Sequence, residues 1–389
     1  MKKRVTLLGA SGSIGESAVD LLRQHPDQFT VVAVVGGSNA EKLAHVARTV
    51  NAEHAVLSNS KNEDALSDAL ADTSIACKAG HEAVLEAVEY ETDIVIAAIS
   101  GTAGLEATYR AIRSTRSLAL ANKECLVSAG ALFTQAIREA GVLLLPIDSE
   151  HNALFQALGD RPTSDVERMT LTASGGAFLH WSKSAMDRAT PEAALKHPVW
   201  SMGAKISVDS TTLMNKGLEL IEAHHLFGLP SHKLDVAIHP QSFIHGLVSF
   251  CDGSVVAGMS FPDMRIPLAH CLGFPDRLKT CLPRFNPFYA KTLTFEPPDE
   301  ERFPALPLAR WALEIGGATP AILNAANEVA VLAFLKGHIN FGRIIHVVAQ
   351  TCEALGRRNE EPTSLEHIFD IHDEARALAL KQVTVYENA

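Results

Sequence analysis

Over residues 1–150, short apolar runs alternate with amphipathic stretches. The runs Arg4–Leu8, Thr30–Val35, Ala55–Leu57, Asp93–Ile99, Ser117–Ala121 and Gly141–Ile147 read as strands. Strands separated by helical segments predict βαβ units and a parallel sheet. The segment Asp93–Ile99 is almost uninterrupted in apolar residues, as expected for a strand buried on both faces. After Pro146 the pattern changes to helices mixed with a predicted antiparallel hairpin, Phe243–Phe250 and Ser254–Ser260, turned at Cys251-Asp252-Gly253. A proline-rich stretch over 281–305 shows no periodicity and reads as a linker. From residue 306 to 389 the chain reads as helical, with Ala321–Leu335 and Arg343–Leu355 the clearest segments. The predicted fold class is α/β: an N-terminal Rossmann-like parallel sheet over 1–148, a central α+β domain over 149–280 and a C-terminal α-helical domain over 306–389.

The first strand runs into Gly9-Ala10-Ser11-Gly12-Ser13-Ile14-Gly15, which opens a helix. Glycines at this place permit a tight turn and a close approach of pyrophosphate to helix N-terminal N–H groups. The second strand ends in Gly36-Gly37-Ser38-Asn39, with no acid to accept from a ribose 2′-OH. Ser and Asn can donate to a 2′-phosphate, so the sequence favours NADPH over NADH.

Asp148-Ser149-Glu150-His151 follows the last strand of the sheet, where α/β folds place ligands. In an extended segment Asp148 and Glu150 project to one face, and two converging carboxylates call for a cation. Oxygen ligands suit Mg²⁺ or Mn²⁺; two solvated loop carboxylates are the alternative. A second cluster runs from Asp209 through Ser210, Asn215 and Lys216 to Glu219. On a helix, Asn215, Lys216 and Glu219 share a face, so Glu219 can complete a three-carboxylate metal site with Asn215 and Lys216 beside an anionic substrate. A surface Lys–Glu pair is the plainer reading. Thr172-Ala173-Ser174-Gly175-Gly176 offers small residues for an anion to approach backbone N–H groups. His197–Gly203 has the makings of a lid in which Trp200 covers the substrate and Gly203 allows movement, unless Trp200 is a core residue. The neighbours His224 and His225 are expected to be partly buried or solvated.

A formal net charge of -11 argues against nucleic acid as the main partner. No apolar run is long enough to span a bilayer, and the glycine turn at Gly9 stands where a signal peptide would have its cleavage site. The expected location is cytoplasmic. The six cysteines have no paired spacing and are expected to be buried free thiols, with neither zinc nor disulfides indicated.

Taken together, Gly9–Gly15, Ala121-Asn122-Lys123-Glu124, Asp148–Asn152, Ser174-Gly175-Gly176, His197–Gly203, Met214–Glu219, His239-Pro240-Gln241-Ser242 and Pro262-Asp263-Met264-Arg265 resemble the 1-deoxy-D-xylulose 5-phosphate reductoisomerases over essentially the whole chain. The resemblance implies that Asp148, Glu150 and Glu219 bind Mg²⁺, Mn²⁺ or Co²⁺. It implies that Ser174, Ser210, Asn215 and Lys216 hold the substrate phosphate and adjacent hydroxyls, with Ser149, His197 and Trp200 also in contact. Ser11, Gly12, Ser13, Ile14, Gly37, Ser38, Asn39, Asn122, Glu124, Gly203 and Met264 would contact NADPH. Lys123 would stand where cofactor and substrate meet. A flap over residues 184–204 would close on the substrate. Members of the family are homodimers of the non-mevalonate isoprenoid pathway and are inhibited by fosmidomycin. They cleave and remake a carbon–carbon bond by a retro-aldol/aldol route, then reduce the resulting aldehyde with NADPH. This chain departs from the usual pattern at Ala177, Leu179, Val199, Cys125 and Ser38, where members commonly have Pro, Arg, Asn, Ser and a basic residue.

Two other readings share some of these features. A semialdehyde dehydrogenase would use Cys125 or Cys251 as nucleophile, and an NADPH-sensing regulator would leave the carboxylates without a role.

Overall fold

The computed structural model describes residues 1–200, 202–288, 292–356 and 361–387. The chain divides into two compact units. The first comprises 1–125, 133–152 and 263–283; the second comprises 126–132, 153–262 and 284–389. By this division the C-terminal helices cluster with residues 153–262. The three-domain boundaries read from the sequence cut across this grouping.

The first unit is built on a parallel sheet of seven strands: β1 Lys3–Leu8, β2 Phe29–Gly36, β3 His54–Leu57, β4 Ala76–Ala79, β5 Thr92–Ala97, β6 Thr115–Leu120 and β7 Leu143–Pro146. The order is β4-β3-β2-β1-β5-β6-β7. The sequence runs anticipated six of these. The edge strand β4, Ala-Cys-Lys-Ala, alternates exposed and half-buried positions and carries no branched residue, so it left no apolar signature. The order reverses between β1 and β5, which makes the loops after those strands the expected ligand crevice. Val5, Leu7, Val34, Val95, Ile96 and Leu118 are almost fully buried between helices on the two faces.

Residues 263–283 return to this unit from far along the chain. The helix Arg265–Gly273 packs on the helix Ser13–Gln24, where Arg265 Nη1 donates to Asp20 Oδ2 at 2.9 Å. Lys3 Nζ donates to the carbonyls of Leu272, Gly273 and Phe274 at 2.9–3.1 Å, capping that helix with a cation where the dipole favours one.

The second unit holds a mixed sheet of β8 Val166–Ala173, β9 Leu234–Ile238, β10 Ile244–Phe250 and β11 Val255–Met259, in the order β11-β10-β8-β9. The hairpin β10–β11 forms as the sequence predicts, and Gly253 takes φ +83° in its turn. The helices Ala305–Ile315, Thr319–Leu335, Arg343–Leu355 and Leu365–Glu387 complete a core that includes Phe178, Phe303, Phe334 and Phe341. Among the described residues, no helix is long and apolar enough to cross a membrane.

Cys125, Cys271 and Cys352 are buried and burial raises the thiol of Cys352 to about 12, but Cys251 and Cys281 are exposed, against the expectation of uniformly buried thiols. Cys251 lies in the β10–β11 turn, where a polar connection has no core to enter.

Candidate functional site

The first unit holds a glycine-lined cleft at the end of β1. β1 ends at Leu8, and the helix Ser13–Gln24 starts with Gly12 as its cap residue. Having no side chain, Gly12 cannot cap, and it leaves the first-turn amides of Ser13 and Ile14 open to an anion. Gly9 is required for close approach: at φ +80° a Cβ would lie 2.3 Å from the Ala98 carbonyl oxygen at the end of β5. A cleft of about 290 Å³ extends from Gly9, Ser11 and Gly12 past Gly36, Gly37 and Ser58.

The loop after β2 carries Gly37, Ser38 and Asn39, all exposed, with no acid among them. Asn39 Oδ1 accepts from Lys42 N at 2.9 Å and caps the helix Ala40–Val50, which turns its Nδ2 into the available donor. Asn122 is 2% exposed, and its amide is already engaged. It donates to the carbonyls of Ile99 and Gly101 and accepts from Cys125 N at 3.0 Å, tying the loops after β5 and β6 together. Met264 precedes the helix Arg265–Gly273 and is fixed by Asp263, whose carboxylate accepts from Arg265 N and Nε. Those contacts from Arg265 hold the Asp263 carboxyl below its usual range.

At the end of β7 the structure corrects the extended reading of Asp148-Ser149-Glu150. Residues Ser149–Leu158 are helical, and Asp148 Oδ1 accepts from Glu150 N at 3.2 Å and His151 N at 3.3 Å. Asp148 is thus a helix cap, a role its residue type favours more than strand continuation. Convergence survives by a different route, since the Asp148 and Glu150 carboxylate oxygens lie within 4.8 Å of each other. Lys123 Nζ sits 2.5 Å from Asp148 Oδ2, and Ser149 Oγ donates to Glu150 Oε2 at 2.5 Å. The buried His151 brings Nδ1 to 3.0 Å from Asp148 Oδ1, a proximity that sequence reading passed over.

The second unit supplies a polar group. β8 delivers Ser174 at its carboxyl end. Phe178, stacked on Trp181 at 4.3 Å and edge-on to Phe341 at 5.0 Å, anchors the loop that follows. Gly176 adopts φ +67°, where a Cβ would come within 2.7 Å of the Ser210 carbonyl oxygen, so only glycine lets the two loops meet. His197 Nδ1 accepts from the amides of Val199 at 3.2 Å and Trp200 at 2.8 Å. The ring proton is therefore on Nε2, which donates to Ser174 Oγ at 3.0 Å. Burial lowers the His197 pKa to about 4, keeping the ring neutral. Ser174 Oγ also accepts from Gly176 N at 3.2 Å, so its own proton is left to donate outward.

The Asp209–Glu219 cluster forms two helices, Ala204–Thr212 and Met214–Phe227, hinged at Leu213 with φ +61°. Asn215, Lys216 and Glu219 share a face as predicted: Asn215 Nδ2 donates to Glu219 Oε1, and Lys216 Nζ to Glu219 Oε2 at 2.5 Å. The Lys216–Glu219 pair is 5% and 1% exposed, which rules out the plainer surface-pair reading. Asp209, also buried, accepts from Lys205 Nζ at 3.1 Å and from Asn327 Nδ2 at 2.7 Å. Asn327 lies 118 residues away, and no local pattern marks it.

The expected flap begins with two short helices, Lys183–Asp187 and Pro191–Ala194, and Trp200 is half-buried with its ring 6.2 Å from His245. Gly203 is exposed and caps the helix Ala204–Thr212; Ser201 lies outside the described residues. His239 is structural: Nδ1 donates to Thr294 O at 2.8 Å and Nε2 accepts from Phe243 N at 3.3 Å. His224 and His225 pack edge to face, and burial lowers His225 to about 4.

Family models match most of the chain. Residues 5–130 match the model described as 1-deoxy-D-xylulose 5-phosphate reductoisomerase, and 144–227 and 259–378 match its C-terminal domain models. A relative of that name from Gluconobacter oxydans (strain 621H) is 49% identical over 384 residues, covering 99% of this chain and 93% of the relative. One from Bradyrhizobium sp. (strain ORS 278) is 48% identical, covering 97% and 93%. The Zymomonas mobilis enzyme in complex with NADPH superposes with TM-score 0.94 at 45% identity, covering 98% of this chain and 99% of that one. A reductoisomerase in complex with NADPH, fosmidomycin and magnesium gives TM-score 0.92 at 38% identity, with 98% of each chain covered. On these grounds the chain belongs to the 1-deoxy-D-xylulose 5-phosphate reductoisomerase family.

Proposed function

We infer that this chain catalyses the NADPH- and divalent-metal-dependent rearrangement and reduction of 1-deoxy-D-xylulose 5-phosphate to 2-C-methyl-D-erythritol 4-phosphate in the non-mevalonate isoprenoid pathway. Coverage carries the reading: relatives named for this activity align over 97–99% of the chain at 48–49% identity.

The residues fit the groups the reaction needs. Asp148, Glu150 and Glu219, which the resemblance to the family assigns to the metal, each offer hard carboxylate oxygens suited to Mg²⁺, Mn²⁺ or Co²⁺. The cleft after β1, with its uncapped helix start and acid-free β2 loop, suits the diphosphate and 2′-phosphate of NADPH. When bound, the cation supplies Lewis acidity to the ketone and adjacent hydroxyl oxygens, and NADPH supplies a hydride.

The chain's own residues then bind, orient and shield. Ser174 donates its hydroxyl proton to a phosphate oxygen, held in that orientation by the neutral His197. Ser210, Asn215 and Lys216 complete the phosphate grip, and Ser149, whose proton goes to Glu150, accepts from a substrate hydroxyl. Lys123 offers an ammonium proton beside Asp148, where oxyanion charge would develop. Trp200, in the flap over 184–204, excludes water. Ser11, Ser13, Ile14, Ser38, Asn39, Asn122, Glu124, Gly203 and Met264 are assigned to the cofactor. Residues 1–148 would serve the nucleotide, 149–280 catalysis, and 306–389 support. A cysteine nucleophile is disfavoured: Cys125 is 0% exposed, and Cys251 sits in a hairpin turn.

The working form is proposed to be a cytoplasmic homodimer. β11 is an open sheet edge with Val255 and Met259 exposed, an apolar edge that a second copy would cover. Light scattering should then give a mass near twice 41.8 kDa. The activity itself is tested by following NADPH absorbance with 1-deoxy-D-xylulose 5-phosphate and Mg²⁺, Mn²⁺ or Co²⁺, with and without chelator. Metal-dependent, chelator-sensitive loss of absorbance supports the reading, and a flat trace with every metal overturns it.

A further inference from the structure

The second unit holds a cleft of about 390 Å³ whose residues are assigned to neither metal, cofactor nor substrate. That volume falls among small-molecule sites, which run from about 300 to about 1,000 Å³. Met186, Phe303 and Phe341, each at most 5% exposed, line it with Ile345 and Ala349. Its sides come from the helix Lys183–Asp187, the turn before the helix Ala305–Ile315, and the helix Arg343–Leu355. Each side is pinned. The Asp187 carboxylate lies against Gly342, where no room is left for a Cβ. Arg302 Nη1 donates to the carbonyls of Leu179 at 2.9 Å and Trp181 at 3.0 Å, and its Nε donates to Asp299 Oδ2 at 2.7 Å.

Two cationic donors remain at this cleft. Arg302 spends its Nε and Nη1 protons on those bonds, and its Nη2 has no acceptor among the described residues. The exposed Lys183 ammonium has no ion pair among the described residues. A guanidinium held in place with N–H groups to spare is a ready partner for a carboxylate or phosphate. Of the opposing charges, Asp187 is turned to Gly342 and Glu301 is exposed to solvent.

We propose that the cleft is a second ligand site for a small amphipathic anion. An apolar body lies against Met186, Phe303 and Phe341, and a carboxylate or phosphate head meets Arg302 and Lys183. Binding stands on the cleft alone, whereas its consequence for turnover rests on the proposed flap. Met186 belongs to the first helix of that flap, and Thr212, also on the cleft, ends the helix that carries Ser210. An occupant therefore bears on the root of the flap and on the placement of Ser210, and should raise KM for the sugar phosphate.

The test is a ligand-observed NMR titration of the full chain with 4-phenylbutyrate, 4-phenylbutyl phosphate and 4-phenylbutan-1-ol. Anions of this size should bind with Kd of about 1 mM, and the alcohol about tenfold more weakly. The tighter of the two anions identifies the head group. Ala349→Phe, which fills the apolar part, should abolish binding of both anions. Lys183→Gln, on the surface, should weaken it severalfold at an unchanged melting temperature, and keeps the test open if A349F proves unstable. Equal binding of anion and alcohol, or undiminished binding in the variants, overturns the site. In the NADPH assay 4-phenylbutyrate should raise KM severalfold for the wild type and not for A349F. An unchanged KM alongside binding overturns the link to the flap alone. A wild type without turnover overturns the activity reading, and the titration still decides the site.

Discussion

Lys123 and Asp148 share a proton-rich contact of 2.5 Å, while the other oxygen of the same carboxylate caps the helix that begins at Ser149. Asp148 therefore has one oxygen committed to structure and one held by a cation of the chain itself. Replacing Lys123 by Met removes that internal competitor without touching the cap. Mn²⁺ affinity should rise severalfold, read by paramagnetic resonance titration, and turnover should fall by about two orders of magnitude as one positioned donor is lost. Weaker Mn²⁺ binding in K123M would contradict the arrangement.

Two glycines of the nucleotide cleft should respond oppositely to the same change. A Cβ at Gly9 would strike the Ala98 carbonyl at 2.3 Å in a left-handed backbone, whereas one at Gly37 meets nothing within 4 Å. Gly9→Ala should lower stability by about 1–3 kcal/mol and weaken NADPH binding. Gly37→Ala should leave the melting temperature unchanged, and equal melting curves for both variants would refute the close approach.

The buried contact between Asn327 and Asp209 fixes the helix that carries Ser210. Asn327→Ala leaves Asp209 with one donor fewer at 2% exposure, a loss of about 1–3 kcal/mol. We expect KM for the sugar phosphate to rise more than kcat falls, as Ser210 loses its placement. A fall in kcat at constant KM would assign Asn327 some other role.

His197, His225 and His270 are each lowered to about 4, chiefly by burial. In the unfolded chain they protonate near 6.5, so between pH 6.5 and 4 the unfolded state binds more protons. Stability from this source is intact above 6.5 and is lost as pH falls through that window. The urea midpoint should drop from pH 7 to pH 5, and His225→Gln should shallow the slope. A midpoint rising over the same range would reverse the argument.

What the sequence disclosed follows from how local each signal is. The strands of the first sheet were legible where both faces are buried, as at Thr92–Ala97, and lost at Ala76–Ala79, where an edge strand needs no apolar pattern. Glu219 with Asn215 and Lys216 was legible because helical spacing is a property of neighbours. The extended reading of Asp148–Glu150 failed because a carboxylate after a strand can as well begin a helix, and capping prevailed. Asn327 and His151 owe their contacts to a partner the fold brings from far along the chain or to burial, which residue spacing does not encode.

The return of residues 263–283 to the first unit bears on biosynthesis. Lys3 finds three of its acceptors only when Leu272, Gly273 and Phe274 exist, some 270 positions later. As the chain leaves the ribosome, its opening strand must wait for a segment made long after the rest of that sheet. A fragment cut at residue 150 would keep every strand of the sheet yet lack the helix that closes it. An excised nucleotide-binding unit should therefore be designed as two spliced segments, with 263–283 joined back to the first.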